Sequence, residues 1–447
     1  MSDVIVKLYC MEPLRIFQAM HPEVDLQVFF DDMQMTARGS RKHVIKVLKN
    51  AASTLKKFIT DEMGAVLAAD KASVTATCPK LADLLRDAIG KDAGPRTRVA
   101  QFLGIDSLLG RRRGVLGKTS KIRARINSAV LRKVRLKRLA QGIPKGSSTI
   151  FTSGVQPAAT YGADVLGLSD SELAKLQSVA LSSMKPATKG RSKAAVFAVK
   201  GDPTWNPATA PAQRWAREVW LNQFPKCKAV PCIKIAELNM ALTTAKARPA
   251  RNWAQVRGAV DAAILSLKRI KWKLEDATHV VTDQNVRIPL LQTSPQLFKK
   301  LLKDGVHRMW ERSFSSSLAK NGWEGKRVCV DPAASLATSA WAAQNPLAAH
   351  HAIKAYCGGC WTKGRAAKSG YVMEDMRCPL CGVEDDSMEH RIYHCRESAA
   401  TRESFHRTLR RLRDRSDLDV WFRTRGIWAH PADNCPLPPE EGGSPII

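Results

Sequence analysis

Leu26-Gln27-Val28-Phe29-Phe30-Asp31-Asp32-Met33-Gln34-Met35 sets two adjacent carboxylates between two apolar stretches. The pattern predicts a β-hairpin with Val28 and Phe30 on one side, Met33 and Met35 continuing the apolar character past the turn, and the acids at the tip. Two like charges side by side cost free energy until a cation neutralises them. Mg²⁺ is commonly held by one or two carboxylates together with substrate phosphates, so such a tip suits two-metal phosphoryl transfer. An ordinary Asp-containing turn is the simpler reading of the dipeptide by itself.

The segments beyond the hairpin add to that reading. Ser40 can cap a helix in which Val44, Val47, Leu48, Ala51, Leu55, Phe58 and Ile59 recur at three- and four-residue spacing, with Gly64 ending it. A short strand-like piece, Asp70-Lys71-Ala72-Ser73-Val74-Thr75, comes next, and later Gln101-Phe102-Leu103-Gly104-Ile105. This order resembles the palm of non-LTR retrotransposon reverse transcriptases. There an aromatic-x-Asp-Asp hairpin is followed by a helix, a Lys-containing segment and a Phe/Tyr-Leu-Gly turn. The resemblance implies RNA-directed DNA polymerase ancestry, with Asp31 ligating Mg²⁺, Asp32 alongside it and Lys71 acting on the leaving pyrophosphate. A solvated lysine in a turn is the plainer account of Lys71.

In that family a further metal-binding carboxylate lies on an earlier strand. Met1 to Val24 offers only Asp3, Glu12 and Glu23, none in a strand-then-loop context. The fingers and the first half of the palm are therefore expected to be missing, with an upstream half of the polyprotein as the absent partner. Positioning and charge neutralisation supply most of the catalysis in phosphoryl transfer, so a partial site is expected to lack useful activity.

The 447 residues carry 71 Lys+Arg against 41 Asp+Glu, a net charge of +30. Such an excess repels itself in a compact chain and seeks a polyanion, nucleic acid above all. No 18-residue apolar run and no basic-then-apolar leader is present. The expectation is an intracellular protein of nucleus or cytoplasm, not secreted and with no membrane partner. Cysteines clustered only as Cys-x-x-Cys pairs favour thiols and metal over a disulfide framework.

Between Arg111 and Arg138 there are 12 Lys or Arg and no acid: Arg111, Arg112, Arg113, Lys118, Lys121, Arg123, Arg125, Arg132, Lys133, Arg135, Lys137 and Arg138. Ile122, Ile126, Val130 and Val134 recur every four residues, predicting a helix with one apolar stripe and basic flanks. All-positive flanks point to a phosphate-tracking surface. Its place after the palm-like segment matches a polymerase thumb gripping an RNA or DNA template–primer.

Ile143 to Gly154 reads as a turn region. Gln156 to Ser169, with Tyr161-Gly162 and Gly167, looks like a stretch seen after the palm in the same family, and Ser169 with Glu172 predicts a capped helix over about 170–182. Gly201 to Pro211 reads as a linker, and residues 212–325 as helical segments whose tryptophans are core. His307, His350 and His351 have no evident partners.

Cys378-Pro379-Leu380-Cys381-Gly382 is a knuckle that brings two thiolates to one metal, and His390 and Cys395 can close a tetrahedron as a structural Zn²⁺ site. It resembles the C-terminal Cys-Cys-His-Cys finger of non-LTR retrotransposon proteins. His394 could replace Cys395, and Cys357 with Cys360 offers an alternative Cys₄ set. Gathering four ligands within 18 residues costs less loop-closure entropy, which favours Cys378, Cys381, His390 and Cys395. Lys363 and Arg365 are candidates for phosphate contacts. Beyond the knuckle runs a basic helix through Arg402, Arg407, Arg410, Arg411, Arg413 and Arg415.

The expected architecture is α+β: a small palm-like β-hairpin/helix unit (1–110), a basic thumb-like helical region (111–200), a helical connector (201–340), a zinc-finger module with its basic helix (341–420) and a disordered tail (421–447). The expected function is that of a truncated reverse transcriptase retaining nucleic-acid binding, with Mg²⁺ relevant only to residual polymerase chemistry. The alternatives are a non-enzymatic zinc-dependent RNA/DNA-binding protein and an inert relic.

Overall fold

The apolar–polar alternation of residues 24–37 folds as an antiparallel hairpin in the computed structural model, which describes residues 3–29, 32–68, 71–184, 191–224, 233–319 and 360–404. The fold mixes many helices with small antiparallel sheets. It packs as two compact units. One takes in Met1–Ser128, Ala158–Glu172 and Thr209–Ser266; the other takes in Ala129–Pro157, Leu173–Ala208 and Leu267–Ile447.

In the first unit, β1 (Val24–Phe29) and β2 (Asp32–Ala37) pair with Leu26 opposite Met35, Val28 opposite Met33 and Phe29 opposite Asp32. A lone two-stranded hairpin is marginal in water, so it needs a partner for its apolar face. Helices α1 (Asp3–Met20) and α2 (Arg41–Lys57) supply it: Leu26, Met33 and Met35 pack on a buried cluster of Phe17, Val24, Ala51, Leu55, Ile59 and Met63. Helix α2 starts where Ser40 Oγ accepts the His43 N–H at 3.4 Å. Its wider last turn, Phe58–Glu62, precedes Gly64 at φ +59°. Helix α3 (Pro79–Ile89) packs against α2 through Val44, Ala82 and Leu85.

The strand expected over 70–75 does not form. Asp70 lies outside the described residues, the Lys71 N–H bonds the Ala68 carbonyl at 2.9 Å, and Val74 makes a single parallel bridge with Arg96. Strands β3 (Ala100–Phe102) and β4 (Ile105–Ser107) form the Phe-Leu-Gly hairpin, with Leu103 at φ +50° and Gly104 at φ +71°. Positive φ at both loop residues is the type I′ geometry that matches strand twist. Tyr161-Gly162 docks beside it. Gly162 is at φ +80°, and a Cβ there would lie 2.9 Å from Ile105 Cγ1.

Ile122, Ile126, Val130 and Val134 do not share one helix. Helix α4 (Lys121–Leu131) ends and α5 (Lys133–Gly142) begins around Arg132. Four-residue steps gain about 40° each on a 3.6-residue helix, so the fourth member drifts off the stripe. Ile122 and Ile126 are buried, whereas Val134 is 60% exposed and Leu136 and Ala140 are the buried side of α5.

The turn expected over 143–154 is helical instead: Pro144–Ile150 followed by a wider turn, Phe151–Val155. Pro144 starts it at a position where a missing N–H costs nothing. Thr152 and Ser153 hydroxyls donate back to the carbonyls of Ser148 and Thr149 at 3.1 and 2.7 Å, which hides a helix in a Gly/Ser-rich composition. The linker expected over 201–211 is likewise replaced. Helix Trp205–Leu221 begins inside it, and Ala208 and Thr209 are buried. The capped helix is present as Asp170–Ser183, with Ser169 N–H to Glu172 Oε2 at 2.8 Å and Glu172 N–H to Ser169 Oγ at 3.3 Å.

In the second unit, Asp202 accepts from Thr204, Gln177 Nε2 at 3.2 Å and Trp310 Nε1 at 2.9 Å. The connector also contains a sheet absent from the expectation: β5 (Lys273–Leu274), β6 (His279–Val281) and β7 (Arg287–Pro289). Asp283 lies beside it, bonded to Trp272 Nε1 at 2.9 Å and Arg308 Nη2 at 2.7 Å, and also to Arg312. Trp215, Trp253, Trp272 and Trp310 are buried, as core tryptophans should be. His307 faces Glu311 at 3.5 Å, a partner the sequence reading missed, and His350 and His351 lie outside the described residues.

Candidate metal centre

The chain from Cys378 to Cys395 folds so that four donors converge. The Gly382 N–H bonds the Cys378 carbonyl at 2.8 Å, closing a tight turn that continues through Gly382 at φ +69°. This turn sets Cys378 and Cys381 side by side. A wide helical turn, His390–His394, carries the third donor, and the Cys395 N–H bonds the His390 carbonyl at 2.7 Å to place the fourth. The ligand atoms of Cys378, Cys381, His390 and Cys395 all lie within 4.8 Å of one another, and all four residues are buried.

Electrostatics suit a cation. Burial pushes the Cys378 thiol up, but the backbone amides of Cys381 and Leu380, with His390, outweigh it and bring it below the ordinary value. The amides of Glu384 and Val383 bring Cys381 to about 6. Burial raises Cys395. For His390, burial opposes the charged ring, but Cys381 and Glu384 outweigh it and raise its value.

His390 Nδ1 lies 2.8 Å from the Glu384 carboxylate, and Nε2 lies 3.3 Å from Cys381 Sγ. A carboxylate only accepts, so Nδ1 carries the hydrogen and Nε2 is the free ligand atom. Three thiols and an imidazole converging this closely form a donor set for a soft or borderline divalent ion, and the site could hold a metal such as zinc.

The alternatives fall elsewhere. Cys360 is half-buried and outside the group, Cys357 lies outside the described residues, and His394 is exposed. The sequence reading missed two supporting acids. Glu384 orients the histidine. Asp386 is buried, pairs with Arg391, and accepts the Lys363 backbone N–H at 2.6 Å, tying the short helix Lys363–Lys368 to the module. Their signal was position: acids inside the loop between the ligand pairs. Lys363 Nζ pairs with Asp375 at 3.1 Å, while Arg365 bonds the Cys360 carbonyl at 3.0 Å and lies 5.1 Å over the Trp361 ring. Of the expected basic helix, Ala399–Ser404 is observed, and the rest, with the tail over 421–447, lies outside the described residues.

Of the two acids at the hairpin tip, only Asp32 falls among the described residues, and it joins no comparable group there. Phe30 and Asp31 lie outside the described residues, and Asp32 is exposed at the start of β2. Among the described residues the only cluster of three or more metal-capable side chains is the Cys378 group, so Mg²⁺ at the hairpin has no structural support. Lys71 is exposed in its turn.

The cationic stretch divides into two kinds of residue. Arg113 is 7% exposed, donating to the Leu166 and Gly167 carbonyls at 2.8 and 2.9 Å and to the Glu172 carboxylate. That leaves it no exposed face for a phosphate. Arg111 bonds the Arg98 and Ala76 carbonyls, both at 2.8 Å. Arg125 bonds the Gly104 and Tyr161 carbonyls at 3.0 and 3.1 Å, joining the two glycine turns. Lys133 donates to Ser178 Oγ at 2.6 Å, and Arg123 to the Gly117 carbonyl at 2.7 Å. Arg112, Lys121, Arg123, Arg132, Arg135, Lys137 and Arg138 are exposed, and the Lys118 side chain lies outside the described residues.

No family model, no curated protein and no solved structure matches this chain. Among the described residues, no helix is long and apolar enough to cross a membrane.

Proposed function

We propose that the chain is a nucleic-acid-binding relative of non-LTR retrotransposon reverse transcriptases, without polymerase activity of its own and with a structural Zn²⁺ in its C-terminal module. The observation that carries the reading is the ordered set of a hairpin with Asp32 exposed beside its turn, a long capped helix and the type I′ Phe102–Ile105 hairpin. Cys378, Cys381, His390 and Cys395 would hold the zinc, which supplies cross-linking rather than chemistry when bound. Binding to RNA or DNA is assigned to the exposed members of the cationic stretch, Arg112, Lys121, Arg123, Arg132, Arg135, Lys137 and Arg138. Residues 341–420 contain 13 Lys+Arg and 11 Asp+Glu, so the metal module gives the polyanion little net attraction and serves to hold its segment folded.

The expected lack of catalysis rests on Asp32, which is exposed and, among the described residues, joins no group of converging carboxylates that would position two metals. This same feature favours, as a second reading, a zinc-dependent nucleic-acid-binding protein that never polymerises. Primer extension with Mg²⁺, alongside duplex and single-strand binding over a salt series, tests both readings. Expected are steeply salt-dependent binding and no extension. Template-dependent synthesis abolished by Asp31→Ala would overturn the loss of catalysis, and failure to bind at low salt would favour an inert relic.

A further inference from the structure

Helix α2 carries a second cationic surface that neither the hairpin nor the metal centre uses. Over Arg41–Lys57 it holds six Lys or Arg and no acid. At 100° per residue, Val44, Leu48, Ala51 and Leu55 share one arc, and all are buried or half-buried. Lys42, Lys46, Lys49, Lys56 and Lys57, with Asn50 and Ser53, fill the opposite arc, and every one of them is exposed. From Lys42 to Lys57 the row rises about 22 Å. Lys56 meets Asp92 at 2.8 Å; among the described residues, Lys42, Lys46, Lys49 and Lys57 have no ion-pair partner.

A merely solvated helix gains from mixed signs, because Glu–Lys pairs at four-residue spacing stabilise it and Lys–Lys pairs repel. Here Lys42–Lys46 and Lys46–Lys49 are like-charge neighbours, and Arg41 and Lys42 sit at the end where the helix dipole disfavours cations. The helix forms because its other face is buried, and its lysine row stays under self-repulsion that a polyanion relieves.

We infer that this lysine row is a phosphate-binding surface for duplex nucleic acid, separate from the 111–138 stretch and resting on the proposed function only for the partner class. No large apolar side chain of α2 is exposed, whereas a membrane-surface helix needs an apolar face free to enter the interface. The row has no aromatic on which a base could stack, so its contacts go to backbone phosphates and carry no sequence preference. A duplex offers one phosphate per ~1.7 Å of axis, enough to face every lysine of the row.

The test uses the full chain and a short DNA duplex. Lys42→Gln, Lys46→Gln, Lys49→Gln and Lys57→Gln together preserve helix propensity and remove four cations. At about 0.9 per phosphate contact, the slope of log K against log salt should become shallower by roughly 3 to 4, with unchanged far-UV circular dichroism. An unchanged slope and affinity overturns the inference. A companion variant, Arg132→Gln, Arg135→Gln, Lys137→Gln and Arg138→Gln, reports on the proposed function separately. Weakening in the companion alone sinks the α2 surface and leaves that reading standing; weakening in the α2 variant alone does the reverse for 132–138. Acetylation of the wild-type protein avoids any question of variant folding. Saturating duplex should shield Lys42, Lys46, Lys49 and Lys57. Full reactivity under duplex, or shielding by anionic phospholipid vesicles in its place, overturns the inference.

Discussion

Arg112 and Arg113 are adjacent and chemically identical, yet one is exposed and the other is 7% exposed against Glu172. Burial pulls the Arg113 guanidinium down, and the Glu172 carboxylate opposes that by holding the charge. Arg113→Met should cost about 3–5 kcal/mol in urea unfolding, because Glu172 is left buried without its partner. No local pattern announces this, since the partner lies 59 residues away. Asp283 carries a pH consequence. Burial works against its charge, but Arg308, Trp272 and Arg312 outweigh it and bring it from 3.8 to about 2. Its folded value is depressed, so its stabilisation is complete above the unfolded value and is lost as pH falls from about 4 through 2. The loss should amount to about 2 kcal/mol. Unfolding measured at pH 5 and pH 2 should include it, and Asp283→Asn should shrink the difference between the two by about that amount.

The metal module is the element whose chemistry was most legible in the chain. Cys-x-x-Cys fixes a tight turn by spacing alone, and the remaining ligands fall within one further loop. Glu384 was not legible as a participant, because its role depends on where the histidine ring turns. Chelation of a zinc-loaded chain should unfold residues around Cys378–Cys395, seen as new protease cuts there. Glu384→Gln should weaken metal affinity about 10- to 100-fold by colorimetric competition while leaving the ligands intact. Elsewhere legibility followed length and period. Helix α2 and the 24–37 hairpin repeat their patterns long enough to be read. Strands of two or three residues, as in β5–β7, cannot display an alternation. The lysine row of α2 was overlooked because its members are spaced along a helix instead of forming a run.

At the scale of the whole molecule, the wild-type chain supplied with primer, template and Mg²⁺ should give no extension, while nucleic-acid binding falls steeply with salt. The second half of that expectation rests on composition, through the +30 net charge. Composition could not foretell how the chain is shared between its compact units, because each collects three separated segments. The first of them takes residues from as far apart as Met1 and Ser266. On the ribosome, then, its opening 128 residues emerge well before the last segment they pack with is made. At ordinary elongation speeds the interval is on the order of 7 to 30 s, during which Arg113 and Gly114 lack the Val256 carbonyl and the Ala254 backbone they meet in the finished unit, while the Phe17 and Leu55 cluster is already complete within residues 10–63. Slowing translation between codons 129 and 266 should therefore lower the soluble yield, whereas slowing it after 266 should spare this unit.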